Sequence, residues 1–177
     1  MNHIILIGFM GAGKTTIGSA LSNQLGMEFI DTDNRIEELE QMTIMDIFEK
    51  KGEQYFRQLE TNVLKELFHD ESQYIISVGG GLPMEKENQE LLKQLGTCIY
   101  LKATIETLCN RLQCDTKRPL LQGEDVRRKI EKLMEKRQGT YEAISQYSII
   151  TDKCSKEAVV ESIVEQVRNI RKKIGDL

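Results

Sequence analysis

The sequence predicts an α/β protein, one domain of 177 residues built on a parallel sheet with helices on both faces. Two observations carry that reading. Short apolar runs alternate with helical patterns from one end of the chain to the other, the order expected of parallel strands joined by helical crossovers. A glycine-rich loop, Gly8-Phe9-Met10-Gly11-Ala12-Gly13-Lys14-Thr15, sits between the first apolar run and the first helical pattern. It matches G-x-x-x-x-G-K-[ST], the phosphate loop that connects a strand to a helix.

The elements follow in order. Apolar runs mark strands at His3–Gly8, Met27–Asp31, Tyr74–Val78, Thr97–Leu101 and Ser148–Thr151. Helical patterns cover Lys14–Leu25, Asn34–Gln41, Ile44–Lys51, Glu53–Phe68, Lys86–Leu95, Ile105–Leu112, Glu124–Ser145 and Lys156–Lys172. Gln113–Gly123 has neither period and reads as a surface loop, with a lid as its functional reading. No repeat and no linker rich in Pro, Gly or Ser divides the chain.

Composition narrows the class. Hydrophobic residues make up 40% and charged residues 29%, as in a globular protein. The net charge of −4 gives no broad basic field for nucleic acid. Cys98, Cys109, Cys114 and Cys154 show no C-x-x-C spacing, and His3 and His69 stand apart, so neither a zinc site nor a disulfide framework is expected. Dispersed cysteines read as reduced thiols in cytoplasm. No signal peptide and no run long enough to span a membrane is expected.

The phosphate loop implies binding of a nucleoside triphosphate. Glycine at 8, 11 and 13 lets the backbone wrap the phosphates, and the N–H groups of Gly11, Ala12, Gly13 and the following helix start point at the anion. Lys14 reaches the terminal phosphates, and the Thr15 hydroxyl is a Mg²⁺ ligand with Thr16 beside it.

Ligands in open α/β sheets bind beyond the C-terminal strand ends. The first predicted strand ends in the phosphate loop, the second in Asp31-Thr32-Asp33 and the third in Gly79-Gly80-Gly81. Asp31 is a candidate for the Mg²⁺ shell through a bound water, and Asp33 could accept a hydrogen bond or a proton from a substrate hydroxyl. The bland alternative for either is a helix N-cap. Three glycines in a row permit close backbone approach to a ligand, where a turn alone needs fewer.

Three arginines complete the candidates. Phe56, Leu59, Val63 and Leu67 form a stripe that Arg57 flanks, with Glu53 and Glu60 one turn away on either side to hold its guanidinium. Its alternative is a surface salt bridge. Arg137 falls inside the apolar stripe Ile130, Leu133, Met134, Tyr141 and Ile144, and an inward guanidinium needs an anion. Arg118, in the proposed lid, could offset charge on a transferred phosphoryl group.

Taken together, GFMGAGKTT, FIDTD at 29–33, DIFEKKGEQYFRQLE at 46–60, GGG at 79–81 and DTKRPLL at 115–121 resemble the shikimate kinases across nearly the whole chain. The resemblance implies a three-layer α/β/α P-loop fold with a five-stranded parallel sheet, a substrate-binding region at about 32–61 and a mobile lid at about 113–123. It implies phosphorylation of the 3-hydroxyl of shikimate with ATP as co-substrate and Mg²⁺. Under it Asp33 binds ring hydroxyls as candidate base, Arg57 and Arg137 grip the carboxylate, and Gly79, Gly80 and Gly81 line the ring. Phe48 and Phe56 form apolar walls, Arg118 covers the phosphates and Arg111 lies near the adenine. A cytoplasmic monomer is implied.

This chain departs from the family pattern twice. Arg137-Gln138-Gly139-Thr140-Tyr141 stands where Arg-x-Pro-Leu-Tyr is common, and Thr151–Ser155 lacks the proline of the adenine-side loop. The competing readings are a gluconate or nucleoside monophosphate kinase and a catalytically silent nucleotide-binding regulator. The DTD and GGG segments weigh against the first pair, and intact Lys14, Thr15, Asp31 and Asp33 against the regulator.

Overall fold

The computed structural model describes residues 3–112 and 125–175, with side chains through Asn169. Five strands, β1 (His3–Ile7), β2 (Glu28–Asp31), β3 (Tyr74–Ser77), β4 (Gly96–Lys102) and β5 (Tyr147–Ile150), make one sheet in the order β2-β3-β1-β4-β5. Every neighbouring pair is parallel. The chain steps from β1 out to β2, returns to β3, then crosses β1 to β4. That reversal places a crevice at the C-terminal end of β1.

Side-chain alternation builds the two buried faces. Ile5 and Ile7 of β1 join Ile76, Cys98 and Tyr100 in one core, covered by α2 (Thr32–Glu40), α3 (Ile44–Phe68), α4 (Lys86–Leu95), α5 (Ile105–Leu112) and α6 (Val126–Ile144). Ile4 and Leu6 join Ile75, Ile99 and Leu101 in the other, covered by α1 (Lys14–Leu25) and α7 (Lys156–Gly175). Strands apolar on both faces are what a sheet sandwiched between helices requires.

Several boundaries move for identifiable reasons. α2 begins at Thr32 rather than Asn34, because Asp31 accepts the Asp33 N–H and caps the helix. The two helices expected at 44–51 and 53–68 form one hydrogen-bonded run broken at Gly52, whose φ of +84° and ψ of 167° are not helical. α6 starts at Val126, capped by Asp125, and ends at Ile144. α7 continues beyond Lys172 to Gly175. A short 3₁₀ turn at Leu82–Met84, with Pro83 in its opening positions, follows the glycine triplet.

His3 is not isolated. It is buried, its Nδ1 accepts the Tyr74 N–H at 3.1 Å, and its ring stacks on Tyr74. Burial lowers its pKa, which keeps the imidazole an acceptor there. Cys98 is buried, Cys109 half-buried and Cys154 exposed, all three as free thiols. Among the described residues no helix is long and apolar enough to cross a membrane.

Candidate active site

The phosphate loop opens from β1 as its motif requires. A Cβ on Gly8 would stand 2.7 Å from the Leu101 carbonyl oxygen, so the loop's entry tolerates only glycine. Gly13, at φ +101°, caps α1 without any side-chain bond, and the first turn of α1 carries no acid. The N-terminal N–H groups and positive dipole end of α1 therefore have no side-chain cap and no acid of the helix's own first turn competing with an anion. Ala12 is buried in the core and can offer only its backbone.

Lys14 is 9% exposed, and its Nζ donates to the Gly8 and Phe9 carbonyls at 3.0 Å each. Those bonds hold the ammonium over its own loop. The Thr15 hydroxyl donates to Asp31 Oδ2 at 2.8 Å, while Asp31 Oδ1 accepts the Asp33 N–H at 3.1 Å. Capping and metal readings thus meet on one carboxylate: one oxygen caps α2 and the other pairs with the Thr15 hydroxyl. Among the described residues no group of three or more His, Cys, Asp or Glu could hold a metal ion. Thr15 and Asp31 instead fit an ion that takes most of its other ligands from water and phosphate, as Mg²⁺ does.

Beside the loop lies a cleft of about 450 Å³ lined by residues from Gly11 to Ile17 with Arg111, Thr151, Cys154 and Lys156. Thr16 is exposed toward it. Arg111 donates to the Gly11 carbonyl at 3.1 Å and to the Thr151 carbonyl at 2.9 Å. It therefore braces the phosphate loop against the end of β5 while lining the cleft. Arg118 and the expected lid at 113–123 lie outside the described residues.

A second compartment sits on the other side of the loop. Arg57 donates from Nη1 to Glu60 Oε2 and from Nη2 to Glu53 Oε1, both at 2.8 Å. The Arg57 side chain is 18% exposed and that of Glu60 only 1%, so this is no solvated surface pair. The buried stripe of α3 is Phe56, Glu60, Val63, Leu64 and Leu67, and Leu59 is only half-buried. Glu60 occupies a place expected for an apolar side chain because it anchors a guanidinium. Burial pushes its pKa from an ordinary 4.5 to about 7; Arg57 opposes the rise, Asp33 adds to it and Arg137 opposes it.

The glycine triplet makes room for these charges. A Cβ on Gly79 would stand 2.6 Å from Asp33 Oδ1 and 2.9 Å from Glu60 Oε1. One on Gly81 would meet Arg57 Nη1 at 2.5 Å. The Thr32 hydroxyl accepts the Gly79 N–H at 3.0 Å and ties the triplet to α2. Phe48 and Phe56 pack with ring centroids 4.9 Å apart. Arg137, 6% exposed, lies with its Cζ 5.9 Å from the Phe9 ring centroid, and its Nη1 has no hydrogen-bond partner among the described residues.

The structure thus gathers Asp33, Arg57, the Gly79–Gly81 triplet and Arg137 into one compartment, and Gly11 to Thr16, Arg111 and Asp31 into the adjoining one. Sequence reasoning underrated Glu60, Thr32 and Tyr141. Glu60 falls four residues after Phe56 and three before Val63, and that spacing is the signal that it faces inward. Helix α6 runs unbroken through Gly139, where an added Cβ would meet nothing within 4 Å, so the missing proline leaves Arg137 and Tyr141 on one face.

A phosphate loop at the switch point of a parallel sheet, next to a compartment of buried guanidinium and carboxyl groups, defines a P-loop kinase of a small anionic acceptor. A family model for shikimate kinase matches residues 10–168, and the chain belongs to that family. It is 42% identical over 169 residues to a shikimate kinase of Actinobacillus pleuropneumoniae serotype 5b (strain L20), covering 96% of this chain and 97% of the relative. To one of Sulfurihydrogenibium sp. (strain YO3AOP1) it is 39% identical over 168 residues, covering 95% and 99%. The solved shikimate kinase from Acinetobacter baumannii in complex with shikimate superposes with a TM-score of 0.90 at 38% identity, covering 96% of this chain and 94% of that one.

Proposed function

We propose that this chain transfers the terminal phosphoryl group of Mg-ATP to the 3-hydroxyl of shikimate, yielding shikimate 3-phosphate and ADP for aromatic amino-acid biosynthesis. The observation that carries the acceptor assignment is Arg137. A buried guanidinium nitrogen without a partner is costly, and a carboxylate oxygen supplies what it lacks. Arg57, already held by Glu53 and Glu60, is fixed in orientation and contributes charge beside it.

Mg-ATP supplies the phosphoryl group and the ion that offsets its charge. The chain's own residues do the positioning. Gly11, Ala12 and Gly13 offer backbone N–H groups, Lys14 a positive charge, and Thr15 and Asp31 the ion's protein contacts, Asp31 through water. Asp33, aimed across Gly79, orients the attacking hydroxyl and receives or directs its proton. Gly79, Gly80 and Gly81 let the ring approach the backbone. Arg111 flanks the adenine side, and the role left to Arg118 is to offset charge on the transferred phosphoryl group. The enzyme works as a cytoplasmic monomer, with neither nucleic acid nor membrane as partner.

A coupled ADP-release assay with Mg-ATP, comparing shikimate, quinate, gluconate and AMP, tests this reading. Shikimate-dependent turnover that disappears in Arg57→Ala and Asp33→Asn is expected. Turnover confined to gluconate or AMP would overturn the substrate assignment. Tight ATP binding with no turnover on any acceptor would favour the regulator.

A further inference from the structure

Tyr141 belongs to neither the nucleotide compartment nor the groups assigned to shikimate, yet it joins two parts of the acceptor site. It lies one helical turn beyond Arg137 on α6, so both side chains project from the same face. Its ring is fully buried and packs against Tyr100, with centroids 5.3 Å apart. Its hydroxyl donates to the Gly80 carbonyl at 2.5 Å across 61 residues of sequence. The Arg137 charge reaches the same phenol, opposing the rise that burial imposes on its pKa. A phenol oxygen can donate once and accept from a second group at the same time, which is what a bridge between a carbonyl and a guanidinium needs.

We infer that Tyr141 is a positioning residue for the acceptor, one oxygen fixing both the Arg137 guanidinium and the middle glycine of the Gly79–Gly81 triplet. This rests on the proposed function. Arg137 acts on the substrate carboxylate, remote from the reacting hydroxyl, so slack in its position weakens binding of ground and transition states alike. Such a loss raises KM and spares kcat. The nucleotide compartment is built by other elements and keeps its own KM.

Tyr141→Phe removes the oxygen and keeps the ring. Losing a hydrogen bond of ordinary net strength should raise the shikimate KM roughly tenfold. The kcat and the KM for ATP should stay within about twofold, as expected for loss of uniform binding. Tyr100→Phe is the control: its hydroxyl is equally buried and adjoins the same ring, but has no hydrogen-bond partner among the described residues. It should leave both KM values unchanged. Both variants would be melted alongside the wild type.

An unchanged shikimate KM in Tyr141→Phe would overturn the inference. So would a parallel rise in both KM values, or an equal effect of Tyr100→Phe, since either reports general loosening of the core. A wild-type protein with no shikimate-dependent turnover would instead overturn the proposed function, and this inference with it.

Discussion

Glu60→Gln should gain stability relative to the wild type as pH rises, although it removes half of a buried ion pair. The Glu60 side chain is 1% exposed, with Oε2 accepting from Arg57 at 2.8 Å. Its other oxygen has no hydrogen-bond partner among the described residues. Burial outweighs the attraction of Arg57 and Arg137, and Asp33 adds repulsion, so the pKa climbs from 4.5 to about 7. At 1.36 kcal/mol per pKa unit, that rise corresponds to about 3 kcal/mol of preference for the protonated form in the folded state.

The pH window follows from the two values. Below 4.5 the carboxyl is protonated whether the chain is folded or not. Between 4.5 and about 7 the folded protein holds a proton that the unfolded chain has released, so stability falls as pH rises. Above 7 both states are ionised and the loss is complete. Glutamine has no proton to lose. Urea unfolding of both proteins from pH 4 to pH 8 should therefore show their difference moving by about 3 kcal/mol in favour of glutamine, nearly all of it before pH 7.5. A difference independent of pH would refute the reasoning. One moving the opposite way would mean that Arg57 outweighs burial. The same variant should bind shikimate more weakly, because the anchor on Arg57 becomes a neutral amide.

Two glycine substitutions separate site from scaffold. Gly79→Ala brings a methyl group against Asp33 Oδ1 and Glu60 Oε1; shikimate turnover should fall at least tenfold, which is about 1.4 kcal/mol, while nucleotide affinity by calorimetry is unchanged, and a fully active variant would remove Asp33 from its assigned place. Gly96→Ala places a Cβ 2.2 Å from the His3 carbonyl oxygen, a backbone atom that cannot swing aside; it should lower stability by about 1–3 kcal/mol or more, and an unchanged melting temperature would contradict the close approach of β4 to β1.

What the sequence made legible were features enforced locally. The phosphate loop needs glycine at 8 and 13 because of a close carbonyl and a left-handed φ, and those demands fix residue type at fixed spacing. Alternating runs declared the strands, and an arginine in an apolar stripe declared Arg137. Asp31 could be read as cap or metal contact because it serves in a position that allows both. Contacts between distant segments left no such trace. The sheet order, the 100-residue reach of Arg111 to Gly11, the bond from Gly79 to Thr32 and the bridge from Tyr141 to Gly80 arise only when the crossovers bring strand ends together.

The residues that hold the site in place are harder to read than those assigned to its ligands, and Glu60 shows why. Arg57 was legible as a cation flanked by acids, but helix spacing alone leaves open which acid is buried. Glu53 and Glu60 bond the same guanidinium at the same 2.8 Å, yet one lies in solvent and the other in the core. Position on the apolar stripe settles it: Glu60 keeps the register of Phe56 and Val63, and Glu53 does not. A charged residue in an apolar register, within one turn of an opposite charge, is therefore the pattern that would have found it. Arg137 fits the first half of that pattern and has no acid within one turn on the inward face of α6. Glu60, from another helix, feels the Arg137 charge, yet Arg137 keeps a nitrogen without a partner among the described residues, where Arg57 has both of its Nη atoms engaged. Of the two guanidinium groups, Arg137 is the one with a buried Nη that no described residue engages, and that nitrogen is open to an anion.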